Sequence, residues 1–164
     1  MNINFIRHGQ PDYNNIKNTD PIYFSNLAPL TDKGIEQSNN IDLAKIKDAE
    51  IIISSPYTRA LQTASIISLN LNKKIIVEPL LHEWLPDKTF NSKILDFCKY
   101  NEAFIKNEFI YNFETNEEMQ YRLKKVIDKY NNLYDNIIIV GHQRLFASLI
   151  NKQLKYCEVF KKTI

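Results

Sequence analysis

Five side chains in this sequence have the types needed to hold and attack a tetrahedral anion. Arg7 and His8 stand together in Arg7-His8-Gly9, Arg59 follows Ser54-Ser55-Pro56, Glu83 follows His82, and His142 follows Gly141. Two guanidinium groups match the oxygens of a phosphoryl dianion bidentately and keep their charge at any relevant pH. Positive neighbours lower the pKa of an imidazole, which keeps it neutral and nucleophilic. A carboxyl group nearby is what a departing oxygen needs for its proton. Taken alone, Arg7-His8-Gly9 also fits a solvated surface turn, so the reading depends on what brings the other residues to it.

The elements that must position them can be read from pattern. Residues 1–6 alternate apolar and polar without Gly or Pro and predict a strand, which ends on Arg7-His8. Residues 50–54 and 137–140 are β-branched runs too short for helices, and residues 74–77 predict a third short strand closed by Pro79. Thr31 caps a helix expected to run to about Ile46. Ser55 as N-cap and Pro56 at the first helical position open another, with a stripe from Tyr57 through Ala60, Ala64 and Ile67. A helix is expected over 92–106. Thr115 with Glu118 forms a capping box before the cleanest amphipathic run, and a last helix is expected from Gln143 to about Gln153. The tail, Leu154 to Ile164, reads as an edge strand through Tyr156, Val159 and Phe160. Pro11 to Pro29, broken by three prolines, predicts a long loop of the kind that serves function. Phe109, Tyr111 and Phe113 alternate and fit a strand, a lid lining or core.

Strands separated by helices predict a three-layer α/β/α sandwich with a mostly parallel central sheet, formed as a single domain over 1–164. In such sheets the functional crevice lies beyond the carboxyl ends of the strands. All three histidines fall just past a strand, so the candidate residues converge there.

Composition excludes other classes. The 164 residues are 44% hydrophobic and 24% charged, an ordinary globular balance. A net charge of +2 argues against nucleic acid or a membrane surface as partner. Cys98 and Cys157 lack metal or redox spacing and read as free thiols. No segment has the length of a bilayer span or the form of a secretory leader, so a cytoplasmic protein is expected, as monomer or homodimer. The histidines form no H-x-H or H-x-x-x-H pair, which disfavours a metal site.

The motifs resemble those of the histidine phosphatase superfamily, the phosphoglycerate-mutase-like enzymes. Arg7-His8-Gly9 is similar to its signature triplet. Leu30-Thr31-Asp32-Lys33-Gly34-Ile35-Glu36-Gln37 resembles its L-T-x-x-G-x-x-Q helix start, and Ser54-Ser55-Pro56-Tyr57-Thr58-Arg59-Ala60 its second motif. Leu81-His82-Glu83 resembles the segment bearing the acid, Glu114-Thr115 through Arg122 the start of a long helix, and Val140-Gly141-His142 the second histidine. The resemblance implies that His8 is a nucleophile that becomes phosphorylated. Arg7, Arg59 and His142 would hold the phosphoryl group, assisted by Asn14, and Glu83 would be the general acid. It implies neither metal nor cofactor, and a small phosphorylated substrate as partner. Gln143, followed by Arg144, departs from the Gly common at that position and is expected to narrow the pocket or touch substrate. His82 reads as structural, and Glu114 and Glu117 as helix-start charges that are weaker acid candidates. Tyr23, Phe90, Phe109 and Tyr111 are alternatives for the pocket lining, with core packing the favoured role of each. The short segment between Glu83 and His142 favours a phosphatase over a mutase. A mutase-type phosphotransferase, a phosphohistidine-protein phosphatase and a non-catalytic phosphate-binding module are the alternatives.

Overall fold

Strand β1 (Asn2–Arg7) lies between β4 (Asn136–Gly141) and β5 (Val159–Thr163) in a five-stranded sheet. The other strands are β2 (Ile51–Ser54) and β3 (Ile75–Val77), and the order is β3-β2-β4-β1-β5. All pairs are parallel except β1 with β5, which is antiparallel. The expected mostly parallel sheet is therefore present, and the tail supplies its edge strand. The computed structural model describes residues 1–108 and 112–164. Phe109 and Tyr111 lie outside the described residues, whereas Phe113 is buried core.

Side chains alternate across the sheet, and the two faces build two cores. Ile3, Phe5, Ile53, Ile137 and Ile139 face one way, against α4 (Asn116–Asn131) and α5 (Gln143–Ile150) through Met119, Leu123, Phe146 and their neighbours. Ile6, Ile52, Ile138 and Val140 face the other way. There they meet Ile41 beyond α1 (Asp32–Asn39) and Ala60, Ala64 and Ile67 of α2 (Thr58–Leu71). β4 is buried on both faces, which is why it reads as an unbroken apolar run. Among the described residues, no helix is long and apolar enough to cross a membrane.

Helix boundaries depart from expectation where side chains compete for the backbone. The helix after Thr31 stops at Asn39 rather than near Ile46. Asn39 bonds back to the Ile35 carbonyl, and Asp42 accepts from Ala44 N–H to start a separate 3-10 turn, Leu43–Lys45. Ser55 is not the N-cap of α2; that position is Tyr57, because the Ser55 hydroxyl is engaged with His142. The stretch expected as one helix over 92–106 is a 3-10 turn, Ile94–Asp96, running into α3 (Phe97–Ile105). α5 ends at Ile150, closed by Asn151 in a left-handed conformation. The long loop after Pro11 contains one 3-10 turn, Ile22–Leu27. The capping box at Thr115 is formed as read.

One seam fixes where β1 ends. Gln37 of α1 accepts the Gln10 N–H at 2.9 Å, and the Thr31 N–H donates to the Gln10 carbonyl at 3.0 Å. The chain passes so close to α1 that a β-carbon on Gly9 would lie 2.5 Å from the Gly34 carbonyl oxygen, and one on Gly34 would collide with the Gln10 backbone. Because the obstacle is backbone, neither side can yield by a rotamer change. Gly34→Ala is therefore expected to cost about 1–3 kcal/mol, read as a lower urea midpoint with an unchanged m-value.

Candidate functional site

The parallel register levels three strand ends. Arg7 pairs with Gly141 and Ser54 with Val140, so the residues that follow emerge side by side. His8 N–H donates to the Gly141 carbonyl and Ser55 N–H to the Val140 carbonyl, both at 3.0 Å. His8 and His142 consequently meet edge to face, with ring centroids 5.0 Å apart.

The hydrogen bonds assign the His8 tautomer. His8 Nδ1 lies 2.7 Å from the Gly9 carbonyl, which can only accept, so Nδ1 carries the proton. Nε2 then bears a lone pair, and Arg59 Nε–H donates to it at 3.1 Å. Burial first, then the Arg59 and Arg7 charges, push the His8 imidazolium down to about 3, so the ring is neutral at physiological pH. At His142, Nε2 is 2.8 Å from Ser55 Oγ. That hydroxyl also accepts the Tyr57 N–H. Among the described residues His142 Nδ1 has no hydrogen-bond partner, although the residue is fully buried. Its pKa lies well below the usual imidazole value, through burial and then the Arg59 charge.

The guanidiniums are held from behind. Arg59, itself buried, donates through Nη1 to the Ser25 carbonyl at 2.8 Å. Arg7 donates to the Leu154 carbonyl at 2.9 Å and stacks 4.0 Å over the Tyr156 ring, while its buried Nε is unpartnered. Glu83 sits against the N-terminus of α5. Its carboxylate accepts the N–H groups of Leu145 at 3.2 Å and Arg144 at 3.4 Å, and its own neighbour Trp84 at 2.9 Å.

Glu83 is also fixed from below by a buried ion pair. Arg122 meets Glu114 through Nε at 2.5 Å and Nη2 at 3.0 Å. Its other N–H groups go to the carbonyls of Leu80, His82 and Glu83. Glu114 in turn takes the Leu85 N–H and gives its carbonyl to the Trp84 indole. Glu114 is thus not a helix-start charge, as expected, but half of a clamp on the Leu80–Leu85 segment. Glu117 is exposed in the first turn of α4.

Arg7, His8, Arg59 and Glu83 line one cavity of about 1210 Å³, together with Tyr13, Tyr57, Tyr156 and Gln143. His142 lies behind His8 and does not reach the cavity surface. Asn14 does not line it either. Its N–H is bound by Asp12 Oδ1, and this turn leaves residue 14 in solvent while Tyr13 faces inward. Gln143 lines the cavity and donates to Gln153. His82 is outside the lining, its Nδ1 bonded to the Glu83 carbonyl. Tyr23 and Phe90 are at the rim. The tyrosines and Arg122 carried no chemical signal of their own. Tyr57 lies within the second motif, but Tyr156 reaches Arg7 only because the tail folds back along β1. Among the described residues, no three His, Cys, Asp or Glu side chains are grouped so that they could hold a metal ion.

The fold and crevice define a class of α/β/α protein with a cationic, imidazole-lined site at the ends of a parallel sheet. A model of the histidine phosphatase superfamily (branch 1) matches residues 3–158, and the chain belongs to that superfamily. No curated protein matches it in sequence. Several solved structures share its fold. A mycobacterial glucosyl-3-phosphoglycerate phosphatase in complex with VO3 superposes with a TM-score of 0.76 at 16% identity, covering 98% of this chain and 90% of the other. Bacillus stearothermophilus YhfR gives 0.75 at 18% identity, covering 98% and 89%. The phosphoserine phosphatase of Entamoeba histolytica, in complex with 3-phosphoglyceric acid, gives 0.70 at 21% identity, again covering 98% and 89%.

Two outcomes follow from this geometry. Arg122→Met leaves the Glu114 carboxylate buried without its partner and is expected to cost about 3–5 kcal/mol in urea unfolding, with part recovered on adding Glu114→Gln. His8, His82 and His142 all titrate below the ordinary imidazole value when folded. The unfolded chain therefore binds protons first as pH falls, so stability is complete above about pH 6.5 and declines from there toward pH 3. Urea midpoints at pH 7.5 and 5.0 measure the decline, and His8→Gln is expected to shrink it.

Proposed function

We propose that this chain is a phosphomonoester hydrolase that works through a phosphohistidine at His8, on a small phosphorylated substrate. The observation that carries this reading is the His8 ring. It is neutral, its tautomer is held by the Gly9 carbonyl, and its Nε2 lone pair faces the Arg59 guanidinium. The donor beside it, Arg7 Nε, which has no partner among the described residues, supports the reading, because a buried N–H group without an acceptor is costly and an anion would supply one. Support also comes from the names of proteins with the same fold, phosphatases of glucosyl-3-phosphoglycerate and of phosphoserine.

In this scheme phosphoryl oxygens offer Arg59 charged acceptors and draw its guanidinium away from Nε2. The lone pair attacks phosphorus, the ester P–O bond breaks, and the Glu83 carboxyl group protonates the leaving oxygen. Water then attacks the phosphohistidine, Glu83 takes its proton, the N–P bond breaks, and inorganic phosphate leaves. Charge on the equatorial oxygens in each transition state is met by the two guanidiniums, the role a preorganised cationic cage performs best. No metal is assigned a step.

His8→Ala is expected to lower phosphate release from a generic aryl phosphate by about 10³-fold or more. Wild-type protein quenched in base during turnover should carry an acid-labile phosphoryl group at His8, and the variant none. Glu83→Gln should slow alkyl esters by about 10²–10⁴-fold and aryl esters less, since these leave without help. Wild-type rates in His8→Ala would overturn the mechanism, and phosphate binding without release by the wild type would leave a binding module.

A further inference from the structure

The cavity extends well beyond the space a phosphoryl group needs, and its outer wall is aromatic. Tyr23, Phe90, Leu95 and Phe97 all line it, and each is at least 41% exposed. Single exposed apolar side chains are ordinary, but four gathered at the mouth of one polar site form a surface that an apolar ligand can cover.

This rim is built rather than incidental. Phe90 has φ of 60°, a left-handed backbone that a β-carbon disfavours. The loop that holds it there is organised by the buried Asp87 carboxylate, which accepts N–H bonds from Thr89, Asn91 and Ser92 and both hydroxyls of Thr89 and Ser92. Burial opposes ionisation of Asp87, yet these bonds outweigh it and hold the group at about 2. The loop bearing Tyr23 is tied to the same segment. Ile22 N–H donates to the Ser92 carbonyl and Ile94 N–H to the Asp20 carbonyl, each at 2.9 Å. Tyr23 and Phe90 therefore stand on one joined rim, edge to face, with centroids 6.2 Å apart. Deeper in the cavity, the Trp84 ring already has the Arg144 guanidinium stacked 4.3 Å over it.

We propose that Tyr23 and Phe90 bind a planar aromatic ring carried on the alcohol portion of the substrate, so that the preferred substrates are phosphomonoesters of aryl-bearing alcohols rather than of compact polyols. The inference rests on the phosphatase reading of the same cavity. It accounts for a phenylalanine in a left-handed backbone beside a cage that needs only charge, and for the apolar surface that shares the cavity.

The test compares 2-phenylethyl phosphate with ethyl phosphate, whose alkoxide leaving groups are of similar basicity, so the ratio reports the ring and not the chemistry. Wild-type kcat/KM is expected to favour the phenylethyl ester by about tenfold. Phe90→Ala and Tyr23→Ala should each reduce that ratio about threefold, while Phe90→Tyr, which keeps a ring, should preserve it. A ratio near one in the wild type, or one that neither alanine variant moves, overturns the proposal. If neither ester releases phosphate, the phosphatase reading fails, and the ring site is then judged by calorimetric Kd values of the two esters on His8→Ala protein. About tenfold tighter binding of the phenylethyl ester supports it, and equal affinities overturn it.

Discussion

His8 donates its backbone N–H to the Gly141 carbonyl, so the last rung of the β1–β4 ladder lies directly beneath the two imidazoles. The pairing is parallel, and both strands therefore deliver their carboxyl ends to the same edge. A histidine one residue beyond each strand then has nowhere to go but beside the other. The rest of the site is arranged on this rung. β2, paired to the far side of β4 in the same sense, brings Ser55 to the second imidazole and starts the helix that carries Arg59. A slip of one residue between β1 and β4 would send every core side chain to the wrong face, so the two buried cores guard the register that the chemistry needs.

The site gives up stability to hold its charge pattern. Two guanidiniums and two neutral imidazoles are gathered with little solvent, and among the described residues Arg7 Nε and His142 Nδ1 lack partners. Each such buried polar group costs about 1–3 kcal/mol. The compensation is nearby and of ordinary kinds. Carbonyls of Leu154 and Ser25 take one N–H from each arginine, and Tyr156 covers the face of one guanidinium. The Arg122–Glu114 pair does the same for the carboxylate side of the cavity, replacing solvent around three carbonyls of the Leu80–Leu85 segment. In this way the stretch that leaves the 3-10 turn Pro79–Leu81 holds Glu83 in place.

The two sides of the cavity obey different physics. The cage at the strand ends is built from backbone register and charge. The outer rim is built from loops, tied together by Asp87 and by the bonds between Asp20–Ile22 and Ser92–Ile94. Its surface is aromatic, so it responds to shape and apolarity. This division, with a fixed reaction centre and a separately built rim, is how one fold accommodates different substrates.

Much of this was legible from residues alone. β-branched runs revealed β2 and β4 because a strand buried on both faces has no polar side to show, and the capping box at Thr115 is a purely local device. Placement of Arg7, His8, Arg59, Glu83 and His142 near one edge followed from strand order and parallel sense. Helix ends were less legible, since whether Ser55 caps α2 depends on a histidine far away in the chain that claims its hydroxyl. Asn14 was misplaced for the same kind of reason: a local bond from Asp12 turns it outward, and Tyr13 takes the inward position. The meeting of the two histidines, the covering of Arg7 by Tyr156 and the clamp on Glu83 were decided only by tertiary structure. Pattern records which residues must be buried or turned, but which buried donor meets which acceptor is set by contacts between segments distant in the chain.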